Sequence, residues 1–133
     1  MLSATGRPGE HERGSAPAEF VLVGGLLTLL TLAVLQLGLT MYVRNVVHDA
    51  AVEGAHYAAL ADSDPVQGVA RTRTVIERAV GSPYARDIRA VYASTGGAPS
   101  VTVTVRTVLP LVGLVGLPAA MEVSASAPVE SLP

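Results

Sequence analysis

A run of 24 residues without a charged side chain, from Phe20 to Val43, dominates the first third of the chain. As a helix it would be about 36 Å long, enough to cross a bilayer core of roughly 30 Å with some tilt. A core helix of a soluble protein would carry a polar face, whereas only four polar side chains interrupt this run: Thr28, Thr31, Gln36 and Thr40. The pattern predicts a membrane-spanning helix, closed by Tyr42 as an interfacial aromatic residue and by Arg44 as a cation that reaches the lipid headgroups.

A cleaved secretory signal peptide is the main alternative for such a run. Its apolar region is about 7–15 residues long, and a small-residue cleavage site follows at once. Here a site of that kind, Ala59-Leu60-Ala61, comes only after several polar and charged residues. We therefore expect the segment to be retained. Two arginines, Arg7 and Arg13, precede the span and Arg44 follows it, so the positive-inside rule favours a cytoplasmic N-terminus.

Small residues recur every fourth position beyond the span. Ala50, Gly54 and Ala58 form one set. Ala51, Ala55 and Ala59 form another. This spacing places each set on one helical face, where a neighbouring backbone can approach closely. Two interpretations stay open: an alanine-rich helix with good propensity and no partner, or a helix packed against like helices. In both, one helix is predicted from about Ala18 to Ala61.

A second helix and several strands are predicted after residue 61. Asp64 can cap a helix that has Pro65 at its first position, and Gly81-Ser82-Pro83 predicts its end. Its predicted apolar stripe consists of Val66, Val69, Ala70, Ile76, Ala79 and Val80. Alternation of apolar and polar residues predicts strands over Val101–Arg106, Asp87–Ala93 and Met121–Ala127, the first two joined by a turn-rich link over residues 94–99.

These elements define an α+β fold. It has a long N-terminal transmembrane helix that extends outside the membrane, a second short helix and a small antiparallel sheet of about three strands. The apolar stretch Leu109–Pro118 contains two prolines and two glycines and is too short to span a membrane as a helix. It is expected to be a loop that packs over the sheet, enters the membrane or meets a partner.

Composition narrows the possible functions. The chain has 133 residues, a formal net charge of −2 and no cysteine. The charge provides no basic surface for nucleic acid, so we predict no nucleic-acid partner. Disulfides and cysteine-based metal sites are excluded. The 72 residues from Asp62 to Pro133 are few enough that their stability alone would be marginal.

Residues that could carry chemistry are few. Glu53 and His56 have the Glu-x-x-His spacing of di-metal helical bundles, but that site needs a second such pair and two more glutamates. Asp49 and Glu53, four residues apart on a helix, are expected to face water rather than act as an acid–base pair. We therefore predict no catalytic residues, no metal, no cofactor and no enzymatic activity.

The residues at the start of the span resemble the TadE-like family, the minor pseudopilins of the tight-adherence (Flp) pilus system, which are type IV pilin-like proteins. The resemblance rests on Gly14 followed five residues later by Glu19, on Phe20 beside it, and on the charge-free run. The alanine-rich segment over residues 50–59 and the helix-then-strands order extend it over nearly the whole chain. The chain departs from the family at His56, where arginine is common, and in lacking the cysteines of some relatives.

The resemblance implies roles for particular residues. Gly14 would be the last leader residue, cut on the cytoplasmic side by a membrane aspartic prepilin peptidase, and Ser15 would be the new N-terminus. Glu19, followed by Phe20, would be the acid that meets an N-terminal amine, its own or a neighbour's, during assembly. A structural interpretation is compatible with this: Glu19 can be a first-turn acid favoured by the helix dipole, with Ala16-Pro17 opening the helix.

The expected organisation is a prepilin-type leader over 1–14, a transmembrane and extended helix over 15–61, and a small extracytoplasmic domain over 62–133. The expected partners are membrane lipid, the prepilin peptidase, other pilin or pseudopilin subunits and the Tad assembly machinery. The expected location is the cell membrane, crossed once with a cytoplasmic N-terminus and the C-terminal domain outside; entry into an extracellular pilus is left open. The alternative is an unprocessed single-pass anchor whose outer domain binds or regulates an envelope partner.

Overall fold

The computed structural model describes residues 12–110 and 120–131, with side chains from residue 14 onward. The chain divides into two compact units, Met1–Leu37 and Gly38–Pro133, here called unit 1 and unit 2. One helix, α1, runs from Glu12 to Ala58 and contributes to both units. The described part of unit 1 consists of α1 alone.

Helix α1 begins six residues before the predicted start at Ala18 and includes Pro17. Because proline has no amide N–H, the carbonyl of Arg13 lacks the donor that position 17 would normally supply. The helix ends at Ala58, three residues before the predicted end, and a turn follows. The predicted long helix is therefore confirmed, with boundaries shifted toward the N-terminus.

Helix α2 spans Pro65–Ala79 and begins as the sequence predicts. The Asp64 side chain accepts a hydrogen bond from the Gln67 amide at 2.8 Å, and the Gln67 side chain accepts one from the Asp64 amide at 3.3 Å. This reciprocal pair is a capping box, which satisfies backbone donors that the first turn leaves without partners. A short 3₁₀ turn, Ser82–Tyr84, follows the helix.

Within the described residues, the sheet has three antiparallel strands in the order β1-β2-β3: β1 is Asp87–Thr95, β2 is Ala98–Val108 and β3 is Ala120–Pro128. All three strands were predicted, and each is longer than the alternation indicated. The β1–β2 turn contains only Gly96 and Gly97, with φ of 61° and 85°. A two-residue hairpin that needs positive φ at both positions selects glycine there.

The core of unit 2 lies between the inner face of the sheet and the C-terminal half of α1. Valines 101, 103 and 105 of β2 are fully buried, and the residues that alternate with them, Thr102, Thr104 and Arg106, are half-buried or exposed, as predicted for a half-buried strand. The helices contribute buried side chains that share small or β-branched character: Val43, Val47, Ala50, Ala51, Ala55 and Ile76. The α+β fold class is confirmed.

The predicted apolar stripe of α2 was wrong in part. The fully buried residues are Gly68, Thr72 and Ile76, whereas Val66 is 74% exposed and the alanines at 70 and 79 are exposed. The reason is that α1 approaches α2 closely, as described below. At a short interhelical distance, small residues fit at the contact better than larger apolar ones.

Two further segments complete the description of unit 2. Residues 38–58 of α1 lie in unit 2, where they supply much of its core. In the apolar stretch Leu109–Pro118, Leu109 and Pro110 are half-buried, and the rest lies outside the described residues. After β3, the chain returns to the turn that follows α1, since the Glu130 amide donates to the Ala59 carbonyl at 3.0 Å.

Candidate functional site

The predicted processing and assembly residues lie together near the start of α1. Gly14, Ser15, Glu19 and Phe20 are all helical and all exposed. Ser15 and Glu19 are four residues apart, so they lie one above the other on the same helical face. A Cβ atom built on Gly14 would meet no atom within 4 Å. The geometry therefore places a potential new N-terminus and a carboxylate one helical turn apart.

The position of Glu19 within α1 bears on the helix-dipole interpretation. Since α1 begins at Glu12, Glu19 is the eighth helical residue of the full chain. The dipole effect falls off within the first turn, so it stabilises this carboxylate little in the uncut chain. Cleavage after Gly14 would make Glu19 the fifth residue and bring it close to the helix end. The dipole explanation is thus strongest after the cut that the family resemblance implies.

Unit 1 carries an exposed apolar surface that begins at Phe20. Within the described residues, one helix is long and apolar enough to cross a membrane, and its most apolar window is not buried by the rest of the chain. Phe20 is 80% exposed and Leu29 67%. Such a surface is costly in water at roughly 25 cal/mol per Å². This arrangement is compatible with a single-pass membrane protein.

Two of the polar side chains inside the run, Thr28 and Thr31, bond to the helix itself. The Thr28 hydroxyl donates to the Gly24 carbonyl at 2.8 Å, and the Thr31 hydroxyl donates to the Leu27 carbonyl at 2.8 Å. These bonds matter because an unpaired hydroxyl in hydrocarbon costs several kcal/mol. The two threonines therefore do not weaken the prediction of a span.

Burial changes at the end of the charge-free run. Met41 and Tyr42 are more than half exposed, whereas Val43 is 2% exposed and belongs to the core of unit 2. The exposed part of the charge-free run therefore ends at Tyr42, one residue earlier than the run itself. Arg44, two residues after Tyr42, is exposed, as expected of a cation that follows a span.

The predicted helix-packing face makes its close contact within the chain. Ala50, Gly54 and Ala58 are all buried in unit 2. A Cβ atom on Gly54 would lie 2.8 Å from the Gly68 carbonyl oxygen, and one on Gly68 would lie 2.8 Å from the Gly54 carbonyl oxygen. The two glycines thus let α1 and α2 approach at backbone distance. Contact of this face with helices of other subunits stays a prediction.

Two residues in this contact escaped the sequence analysis. Gly68 and Thr72 of α2 are buried, and the Thr72 hydroxyl donates to the Gly68 carbonyl at 2.8 Å. The available signal was the four-residue spacing of Gly68, Thr72 and Ile76, which places them on one face. Ala50, Gly54 and Ala58 repeat with the same spacing on α1. In the structure these two faces pack against each other.

The Glu-x-x-His pair has other contacts. Arg71 donates from Nε to the Glu53 carboxylate at 2.7 Å, linking α2 to α1. The His56 Nδ1 atom lies 2.8 Å from the Val52 carbonyl oxygen. Among the described residues, no group of three or more His, Cys, Asp or Glu side chains is placed to hold a metal ion. Both side chains are exposed on the surface of α1 and have contacts within the chain.

Comparison with known protein families gives a match in the first half of the chain. Residues 14–56 match the family model described as TadE-like protein. The match begins at Gly14, includes Glu19, Phe20 and the exposed apolar run, and ends at His56. It confirms the resemblance to the TadE-like family that those residues indicated. No curated protein and no solved structure matches the chain.

Proposed function

We propose that this protein is a pilin-like membrane subunit of a tight-adherence pilus or a related secretion apparatus, made active for assembly by cleavage after Gly14. The TadE-like match indicates a pseudopilin-like protein associated with the Tad pilus machinery in general. The single observation that carries the finer proposal is the order of features along α1. The helix presents, in this order, the Gly14–Ser15 bond, the Glu19 carboxylate and an exposed charge-free run.

The proposed role of Glu19 follows from the chemistry of a charge entering lipid. A carboxylate at the centre of a membrane helix costs roughly 2.5–3.5 kcal/mol on insertion scales, so it needs a cationic partner as the subunit leaves the bilayer for an assembly. Cleavage after Gly14 creates such a partner, the amine of Ser15. That amine, or its equivalent on a neighbouring subunit, would pair with Glu19, while the aromatic ring of Phe20 remains on the apolar surface beside it.

The proposed role of unit 2 is to present surfaces outside the membrane. Its small core is built around residues 38–58 of α1, so the helix that anchors the subunit also organises the folded part. We propose a non-enzymatic action through helix packing in the assembly and contacts made by unit 2, with partners among other pilin-like subunits and the Tad machinery. The proposed orientation has the N-terminus in the cytoplasm, where the peptidase would act.

Replacing Gly14 should abolish processing without disturbing the fold. A side chain at position 14 meets no atom within 4 Å, and a helix accommodates other residues better than glycine. We therefore expect Gly14→Val to accumulate as the full-length chain in cells that contain the peptidase. The measurement is the electrophoretic mobility and intact mass of the membrane-extracted protein.

Gly24→Val is the matched control, because Gly24 lies on the same helix and is equally open. It should be processed like the natural chain. If the natural chain and both variants all retain residue 1, processing does not occur, and the alternative of an unprocessed anchor with an envelope-binding domain replaces the proposal.

A further inference from the structure

Unit 2 has two ends, and its contacts show which elements lie at each. The Glu130 amide donates to the Ala59 carbonyl at 3.0 Å, so the chain after β3 lies beside the turn that follows α1. Strand β3 is about 26 Å long, and α1 extends about 24 Å from Ala59 back to Val43. Val43 is buried in the core that α1 shares with the sheet. The start of β3, at Ala120, therefore lies at about the level of Val43.

Helix α2 gives the same order. A Cβ atom on Gly68 would meet Ala58, and one on Gly54 would meet Thr72, so α2 runs antiparallel to α1 and ends toward Val43. The chain then passes through the 3₁₀ turn into β1. The first residues of β1 pair with the last residues of β2, so both lie at the end of unit 2 that contains Val43.

The end of unit 2 at Val43, here called the near end, adjoins the exposed apolar run. Leu39, Met41 and Tyr42 belong to unit 2, and all three are exposed apolar or aromatic residues of that run. A run of this length and composition is expected in lipid, so the near end faces the boundary between lipid and water. The opposite end, at Ala59, is here called the far end.

Charge is divided between the two ends. Within residues 12–110 and 120–131, every arginine of unit 2 except Arg71 lies toward the near end, together with Asp49, Glu77, Asp87 and Glu122. The far end has Arg71 and four acids: Glu53, Asp62, Asp64 and Glu130. Arginines outnumber acids at the near end, and acids outnumber arginines at the far end. The near end is therefore the cationic end of unit 2.

Three arginines at the near end have no partner within the part of the chain that the structure describes: Arg44, Arg78 and Arg86. All three are exposed. The other arginines of unit 2 each bond to a carboxylate or a carbonyl, as Arg106 does to Glu122 at 2.8 Å. The unpaired positive charge of unit 2 is thus concentrated at the near end.

Arg86 lines a cleft of about 350 Å³ at the near end, together with the exposed apolar residues Pro83 and Val108. Two other charged residues that line this cleft, Asp87 and Arg106, already have partners. The cleft therefore places one unpaired guanidinium beside apolar side chains. A phospholipid presents a phosphate next to hydrocarbon, and a guanidinium can donate two parallel hydrogen bonds to a phosphate.

We propose that the near end of unit 2 binds the bilayer surface, with Arg44, Arg78 and Arg86 at the phosphates of anionic phospholipids and Val108 next to the hydrocarbon. Each arginine close to an anionic surface strengthens binding about fivefold. This attraction falls off within a Debye length of about 8–10 Å, and the far end lies about 24 Å away along α1. The acids of the far end therefore oppose binding little. The inference concerns unit 2 and does not depend on cleavage after Gly14.

Fluorescence quenching in vesicles tests the proposal, since the natural chain has no cysteine for a label to attach to. The full-length Ser82→Cys variant carries a fluorophore at an exposed residue of the near end. The quencher is a phospholipid with a nitroxide on its headgroup. We expect stronger quenching in vesicles of equal parts phosphatidylcholine and phosphatidylglycerol than in phosphatidylcholine alone. The same label on Ala61→Cys, exposed at the far end, should be quenched little in both.

Replacing Arg86 by glutamine in the labelled Ser82→Cys chain isolates one charge. The ratio of bilayer-bound to unbound unit 2 should fall about fivefold in the anionic vesicles and stay unchanged in phosphatidylcholine alone. Arg86→Lys keeps the charge and should retain most of the quenching. Arg71→Gln is the matched control, because it removes the same charge at the far end and breaks only an exposed ion pair with Glu53, which contributes little to stability.

Three results would overturn the proposal. Equal quenching in the two kinds of vesicle would show that the lipid charge is not recognised. Equal losses from Arg71→Gln and Arg86→Gln would show that the near end has no special role. An acidic protein that binds the near end while anionic lipid has no effect would assign the three arginines to a protein partner instead.

Discussion

Replacing Glu19 by glutamine is expected to leave cleavage intact and to remove the subunit from its assembly. Glutamine keeps the size of the side chain and its place on an exposed helical surface, and it removes only the negative charge. The N-terminal amine that cleavage creates would then lose its proposed counter-charge in an apolar environment, where an unpaired charge is costly. A lost interaction of about 1.4 kcal/mol lowers an association constant about tenfold, so we expect at least that reduction.

The measurement is the amount of processed subunit that co-purifies with other pilin-like subunits or with sheared filaments. Glu19→Asp provides the charge-retaining comparison and should recover part of the natural level. Thr28→Ala, which removes a polar group that already bonds to its own helix, should behave like the natural chain. Normal co-purification of a correctly cleaved Glu19→Gln protein would contradict the assembly role.

Placing a methyl group at Gly68 is expected to destabilise unit 2 strongly. The added Cβ would lie 2.6 Å from the Ala58 Cβ and 2.8 Å from the Gly54 carbonyl oxygen. Neither atom belongs to a flexible side chain, so α1 and α2 must separate. Overpacking of this kind costs about 1–3 kcal/mol, which exceeds the gain of up to about 1 kcal/mol that alanine has over glycine in a helix.

Hydrogen exchange of the β2 amides in the full-length protein measures this effect. These amides lie at the centre of the sheet, so their slowest exchange reports global opening of unit 2. Gly38→Ala is the control, because it makes the same change on a helix with no atom within 4 Å and should slow exchange or leave it unchanged. Equal protection in the natural chain and Gly68→Ala would show that the interhelical contact is looser than described.

The parts of the fold that local patterns determine were predictable. Alternation along Val101–Arg106 identified a half-buried strand, and Asp64-Pro65 identified a helix start that the capping box confirms. In each case the signal lies within a few residues of the feature. The TadE-like resemblance was likewise carried by Gly14, Glu19 and the run that follows, and the family match covers the same region.

The features that depend on two distant segments were not predictable from either one. The buried face of α2 is set by how closely α1 approaches, so the apolar Val66 is exposed and Thr72 is buried. Val43 is the same kind of case, because its neighbours in sequence face outward and its own burial comes from unit 2. The proposed role of Glu19 depends on an N-terminal amine that only cleavage after Gly14 would create, so the uncut chain does not contain that partner.

The most direct test of the central claim is the intact mass and N-terminal residue of the protein recovered from its native membrane. The proposed function predicts a chain that begins at Ser15, with Glu19 as its fifth residue. A chain that still begins at Met1, isolated from cells in which the peptidase is present and active, would contradict that claim and leave an unprocessed membrane anchor.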